Sequence, residues 1–179
     1  MIGIYGGAFD PFHNGHLEVV KLVLPKVERL FVTPSYSHAF GKNMAPFDLR
    51  YSWVEKSINK AFLNTAFEHS VLASNAEENI GRLKDGPIYT IDVLEFFEEK
   101  YNLEKKEIAY IIGEDNVVNM PKFKDYEKIK EYSLIVIPEQ HKYKHSSELK
   151  RELSIKGLQN QVNDTIIQDI ISHYQGVTV

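Results

Sequence analysis

GIYGGAFDPFHNGH, residues 3–16, is the stretch from which the fold follows. The apolar run Ile2 to Tyr5 meets a glycine pair, Gly6 and Gly7. Phe9-Asp10-Pro11 comes next, then His13-Asn14-Gly15-His16, after which Leu17, Val20 and Leu24 recur at helical spacing. That order predicts a strand, a glycine turn, a loop and a helix. Glycine lets a backbone approach a ligand where a Cβ would clash. A helix beginning near His16 turns unpaired N–H groups and the positive end of its dipole to the same point. Such a point suits phosphate, and two imidazoles at its mouth can donate to phosphoryl oxygens. Two plainer readings share the string. One is a tight turn holding a hydrogen-bonded histidine pair. The other is a metal site on His13 and His16, although the chain has no cysteine and shows no third ligand at local spacing.

Outward from this stretch, residues 30–33 (LFVT) form a second apolar run that ends at Pro34. With the first strand and the helix between them it makes a right-handed βαβ unit with parallel strands. Residues 34–47 are rich in turn formers and aromatics, and follow the carboxyl end of a strand, where ligands bind in open α/β sheets. Lys42 and His38 are candidates there to meet a phosphate, or to lie on a surface loop. Asp48 is placed to cap a helix running through Trp53 and Ile58. Arg50, a cation in that helix's first turn, needs a partner and is expected to form a structural ion pair. Residues 70–73 read as a third strand and 74–86 as a loop. Thr90 reads as the N-cap of a helix with Ile91, Leu94 and Phe97 on its apolar face. IAYII, residues 108–112, reads as a strand buried on both faces and bounded by Gly113, and SLIVI, residues 133–137, as another buried strand. Ser146, Ser147 and Arg151 place a cap and a cation one turn apart, aimed at one anion. Residues 164–174 form an amphipathic helix with Ile166, Ile167, Ile170 and Ile171 inward. Strands alternate with helices throughout, so the expected fold is α/β, a mostly parallel sheet with helices on both faces.

The 179 residues suit a single domain, 1–179, able to bury a real core. A net charge of −4 argues against broad nucleic-acid binding. The absence of cysteine excludes disulfides and fits a reducing compartment. No apolar run is long enough to span a membrane, and MIGIYGG does not read as a signal peptide. A cytoplasmic protein with neither nucleic-acid nor membrane partners is expected. A homo-oligomer stays open.

GGAFDPFHNGH resembles the first loop of the nicotinate (or nicotinamide) mononucleotide adenylyltransferases, members of the nucleotidyltransferase superfamily with the His-x-Gly-His motif. Further matches follow in order. Tyr89-Thr90 opens a helix, and Ile111-Ile112-Gly113-Glu114-Asp115 matches Ile-Ile-Gly-x-Asp. Phe123 stands where many members have a tryptophan. His145-Ser146-Ser147-Glu148-Leu149-Lys150-Arg151 parallels Ile-Ser-Ser-Thr-x-x-Arg, with His145 in place of isoleucine and Glu148 in place of threonine. Ala8 departs from a frequent serine or threonine, and the 34–47 loop matches only through Pro34 and Lys42.

The resemblance implies a Rossmann-like fold and an enzyme of NAD biosynthesis that joins ATP to a pyridine mononucleotide and releases pyrophosphate. His13 and His16 would be catalytic. Gly7, Ala8, Phe9, His13, His16, Lys42, Gly113, Asp115, Ser146, Ser147 and Arg151 would bind ATP. Tyr89, Thr90 and Phe123 would bind the mononucleotide, and Mg2+ would arrive with ATP. A sister transferase for phosphopantetheine or a polyol phosphate, and a non-catalytic nucleotide-binding module, are the alternatives. Tyr89-Thr90 and IIGED speak against the first. His13, His16 and Arg151 speak against the second.

Overall fold

The opening apolar run pairs along both of its edges. In the computed structural model, which describes residues 1–37, 43–138 and 143–176, strand β1 (Ile2–Gly7) lies at the centre of the sheet. It runs parallel to β2 (Arg29–Pro34), with Ile4 opposite Phe31, and parallel to β4 (Ile108–Gly113), with Ile4 opposite Tyr110. β3 (Val71–Ala73) and β5 (Ser133–Ile137) take the two edges, so the order is β3-β2-β1-β4-β5 with every pairing parallel. The chain leaves β1 toward β2 and β3 and returns to its other side through β4 and β5. The carboxyl ends of β1 and β4 therefore flank a topological switch point, where an open α/β sheet holds its ligand. The candidates Lys42 and His38 lie outside the described residues.

The helices are α1 (Asn14–Val23), α2 (Phe47–Phe62), α3 (Ala76–Gly81), α4 (Thr90–Tyr101), α5 (Glu114–Val117), α6 (Tyr126–Ile129), α7 (Ser146–Leu149), α8 (Ile155–Leu158) and α9 (Asp164–Gly176). They cover both faces, because the central strands send apolar side chains both ways. Leu30, Val32, Ala109 and Ile111 join Val20, Trp53, Val54, Ile166 and Ile170 in one core. Ile4, Phe31, Ile108 and Ile112 join Ile91, Leu94 and Phe97 in the other. Each such side chain, fully buried, contributes roughly 1.5–3 kcal/mol. Among the described residues no helix is long and apolar enough to cross a membrane.

Local expectations fail where distant residues decide. β5 is not buried on both faces: Leu134 is 44% and Val136 42% exposed, because the strand is outermost and paired only to β4. Residues 74–86 hold α3, too short a helix to show a period. Asp48 lies in the first turn of α2, whose N-cap is Pro46, so it meets the dipole rather than capping an N–H. Tyr89, not Thr90, holds the N-cap position of α4, and the Asp92 carboxylate accepts the Tyr89 N–H at 2.8 Å. Arg50 makes no ion pair among the described residues. It is buried and donates to three carbonyls: Ala45 at 2.7 Å, Ala8 at 2.7 Å and Ser35 at 2.6 Å. Those carbonyls belong to the loops after β1 and β2, which Arg50 draws together.

Candidate active site

A cavity of about 640 Å3 opens at the carboxyl ends of β1 and β4, a size usual for small-molecule sites. Gly7, Ala8, Phe9, His13 and His16 line one side of it, and Tyr89, Thr90, Gly113, Asp115 and Phe123 complete the wall. Ten of the sequence candidates are thus gathered around one space. Ser146, Ser147 and Arg151 are not among the lining residues; Tyr143 and His145 are.

The turn does not fall at the glycines. Gly6 and Gly7 finish β1, and the chain turns at Asp10-Pro11, joined by a cis peptide. Phe9 is held at φ 47°, and its buried ring packs edge-on against Tyr5 at 5.3 Å, Phe12 at 5.3 Å and His16 at 5.0 Å. A Cβ on Gly7 would stand 2.9 Å from the Phe9 ring, so this glycine makes room for the chain's own phenylalanine.

Helix α1 begins at Asn14, two residues earlier than its sequence suggests, because His13 is its cap. His13 Nδ1 accepts the Gly15 N–H at 3.1 Å, and His16 Nδ1 accepts the His13 N–H at 3.1 Å. The pair forms a capping box made of imidazoles. A Cβ on Gly15 would meet the His13 ring at 2.9 Å and Tyr143 at 3.2 Å, which is why a glycine separates the histidines. The two rings stack at 3.6 Å, tilted by 26°. With Nδ1 accepting in both, each neutral ring carries its proton on Nε2. Burial, with a smaller push from His145, lowers His13 to about 4. Burial, then His13 and His145, holds His16 well below its ordinary value. At neutral pH the site offers two uncharged Nε2–H donors. The helix end itself is less free than expected, since Asn14 N–H goes to the Gln161 carbonyl at 2.7 Å and Gly15 N–H to His13.

Asp10 anchors the loop from beneath. Its fully buried carboxylate accepts from Lys150 Nζ at 2.6 Å, from the Ala45 N–H at 3.2 Å and from the Tyr174 hydroxyl. Burial alone would raise its pKa, but the contacts from Lys150, Tyr174 and Ala45 together outweigh it and hold the group below its ordinary value. The basic residue at the end of the α7 motif that points inward is therefore Lys150. Arg151 is exposed, Ser147 is exposed, and Ser146 donates to the Pro11 carbonyl at 3.0 Å. Glu148 bends back and accepts the His145 N–H at 2.7 Å. The end of α7 thus presents Lys150, and not Arg151, to the loop after β1.

Glu77 was invisible in the sequence. It lies in the first turn of α3, only 7% exposed, lines the cavity and accepts the Tyr36 N–H at 2.8 Å. Burial pushes its carboxyl up to about 8, against the opposing pull of the Tyr36 N–H and Arg50. No local pattern marks it, because only the tertiary packing of α3, against α4 as well as the loop after β2, buries it. Lys122 and Lys124, on either side of Phe123, also reach the lining and carried no sequence signal. On the opposite wall Thr90 and Tyr110 both face the cavity, and Asp115 accepts from the Asn116 amide at 2.9 Å.

The sequence profile of the cytidylyltransferase-like family matches residues 4–166. A relative from Thermotoga petrophila, named "probable nicotinate-nucleotide adenylyltransferase", is 34% identical over 140 residues, which is 76% of this chain and 63% of that protein. The chain thus spans less than two thirds of that relative's length. A relative of the same name from Nitratiruptor is 29% identical over 187 residues, covering 97% of this chain and 98% of its own. Among solved structures, a Plasmodium falciparum nicotinic acid mononucleotide adenylyltransferase complexed with NaAD superposes with a TM-score of 0.76 at 18% identity, covering 97% of each chain. A Vibrio parahaemolyticus protein gives 0.72 at 24% identity, covering 95% of this chain and 90% of that one.

Proposed function

The chain belongs to the cytidylyltransferase-like family, and from that premise we propose that it transfers the adenylyl group of ATP to nicotinate or nicotinamide mononucleotide. The observation that carries this reading is the histidine pair at the switch-point cavity, fixed by its own capping bonds as two neutral Nε2–H donors. The names of the Thermotoga and Nitratiruptor relatives support the choice of substrate.

The chemistry asks for positioning and charge neutralisation more than for a nucleophile. A phosphate oxygen of the mononucleotide attacks the α-phosphorus of ATP in line. The bond from that phosphorus to the β-bridging oxygen breaks, and pyrophosphate leaves with the electron pair. His13 and His16 donate to the α-phosphoryl oxygens as charge redistributes on them, where oriented dipoles act without reorganising. Lys150 stands one turn from the α7 cap, and its ammonium, with three donors, keeps Asp10 while offering the triphosphate a cation. Gly113 and Asp115 border the nucleotide. Tyr89, Thr90 and Phe123 hold the pyridine end, Phe123 by stacking. Mg2+ would enter as part of the substrate, Mg–ATP, and would supply positive charge to the phosphates.

The test is pyrophosphate release from ATP and Mg2+ with a panel of acceptors. Dinucleotide formation from either pyridine mononucleotide is expected. Turnover of phosphopantetheine alone would replace the substrate and keep the reaction class. Release with no acceptor on the panel would sink the reading.

A further inference from the structure

We propose that Lys124 is the residue by which this cavity tells a pyridine carboxylate from the matching carboxamide. The inference rests on the adenylyltransferase reading above and deepens it, naming the nicotinate form as the preferred substrate. The two mononucleotides share ring, ribose and phosphate, and differ by one negative charge on the ring substituent. A site can separate them only through a charge, or a directed donor or acceptor, at that substituent.

Three lysines surround the aromatic end of the cavity, and they are not equivalent. Lys84 lies 5.7 Å from the Tyr89 ring centre, but its ammonium is neutralised by Asp92 at 2.6 Å. The other oxygen of Asp92 accepts the Tyr89 N–H, so that carboxylate is fully used. Lys122 lines the cavity with its ammonium on the Asn119 amide oxygen at 3.2 Å. Lys124 also lines the cavity and holds Nζ 4.8 Å from the Tyr89 ring centre. Among the described residues it makes no ion pair with a carboxylate. Its backbone is set between the Met120–Lys122 turn and α6, beside Asp125 at φ 53°.

The face of Tyr89 keeps the ammonium at the cavity wall without cancelling its charge. Phe123 and Tyr89 are both lining residues, so a ring stacked on Phe123 brings its substituent near this cation. A carboxylate gains a charge-assisted contact there. A carboxamide offers the ammonium only a neutral carbonyl oxygen, without the attraction of opposite charges.

The experiment compares kcat and KM for both mononucleotides in the wild type, Lys124→Gln and Lys124→Arg. The wild type should prefer nicotinate mononucleotide. Lys124→Gln should raise its KM about tenfold, the scale of one contact to a charged group, with kcat kept and kcat/KM for nicotinamide mononucleotide within about twofold. Lys124→Arg should restore most of the preference, and added salt should erode it in the wild type but not in Lys124→Gln. An unchanged preference in Lys124→Gln, an equal loss for both substrates, or a wild-type preference for the carboxamide would overturn the inference. Turnover of neither mononucleotide by the wild type would instead remove the reading beneath it.

Discussion

His16 serves two purposes with one ring. Its Nδ1 accepts the His13 N–H, and its face packs between Phe12 at 5.3 Å and His13 at 3.6 Å. An alanine there would remove cap, packing and donor at once, so loss of activity would say little about the donor. His16→Gln is the cleaner change. Glutamine at this helix position can still reach back through Oε1 to the N-cap N–H, but its flexible amide N–H2 holds no donor at the fixed place where the stacked imidazole holds its Nε2–H. We expect a well-folded protein with kcat lowered about 10²–10³-fold, the usual effect of losing one transition-state donor, and little change in ATP affinity. Steady-state kinetics beside a circular-dichroism melt decides it; a normal kcat would leave His16 a cap alone.

The element that changes most between expectation and structure is α7. Four residues long, it makes its own cap from His145 and Glu148, buries Leu149, and so turns Lys150 inward and Arg151 outward. Lys150→Met would leave Asp10 buried without its cation. Breaking such a pair from one side typically costs about 3–5 kcal/mol. Asp10 keeps its bonds from Tyr174 and Ala45, which favours the lower end. Arg151→Met, on the exposed side, should change stability by no more than about 0.5 kcal/mol. Urea unfolding of the two variants, with KM for ATP measured on each, tests both roles of α7. Equal stability losses, or a rise in KM for ATP confined to Arg151→Met, would return the cation's role to Arg151.

At the scale of the whole molecule, buried titratable groups lining one cavity shape stability against pH. Glu77 has an ordinary value of 4.5 and is pushed up to about 8 when folded. Folding therefore takes up a proton there, and its contribution is complete below about 4.5 and is lost as pH rises toward 8. The histidines act in the other sense. Their folded values lie below the ordinary 6.5, with His13 at about 4, so their contribution is present above 6.5 and is lost as pH falls toward 4. The melting temperature should peak near the ordinary histidine value of 6.5. Its alkaline decline up to about 8 should flatten in Glu77→Gln, while the acid decline stays. Parallel alkaline limbs in wild type and Glu77→Gln would show that Glu77 is ionised in the folded state.

Much of the architecture was written in local pattern. Short apolar runs alternating with helical periods dictate a parallel sheet between two helix layers, because only that arrangement buries strands apolar on both faces. GGAFDPFHNGH located the cavity, since a strand end, a tight loop and a helix start must converge wherever such a string folds. The same string misplaced the turn and the helix start. Nothing in it tells that Phe9 fills the space over Gly7, or that His13 acts as a cap. What the tertiary structure alone decided are partners distant along the chain. Asp10 meets Lys150 across 140 positions and Tyr174 across 164, Arg50 finds three carbonyls instead of an acid, and β5 lies at an edge. Glu77 looks like any surface acid until α3 packs and water leaves. Local sequence sets backbone geometry and the period of apolar residues. Burial, and with it charge state and choice of partner, is a property of the assembled fold.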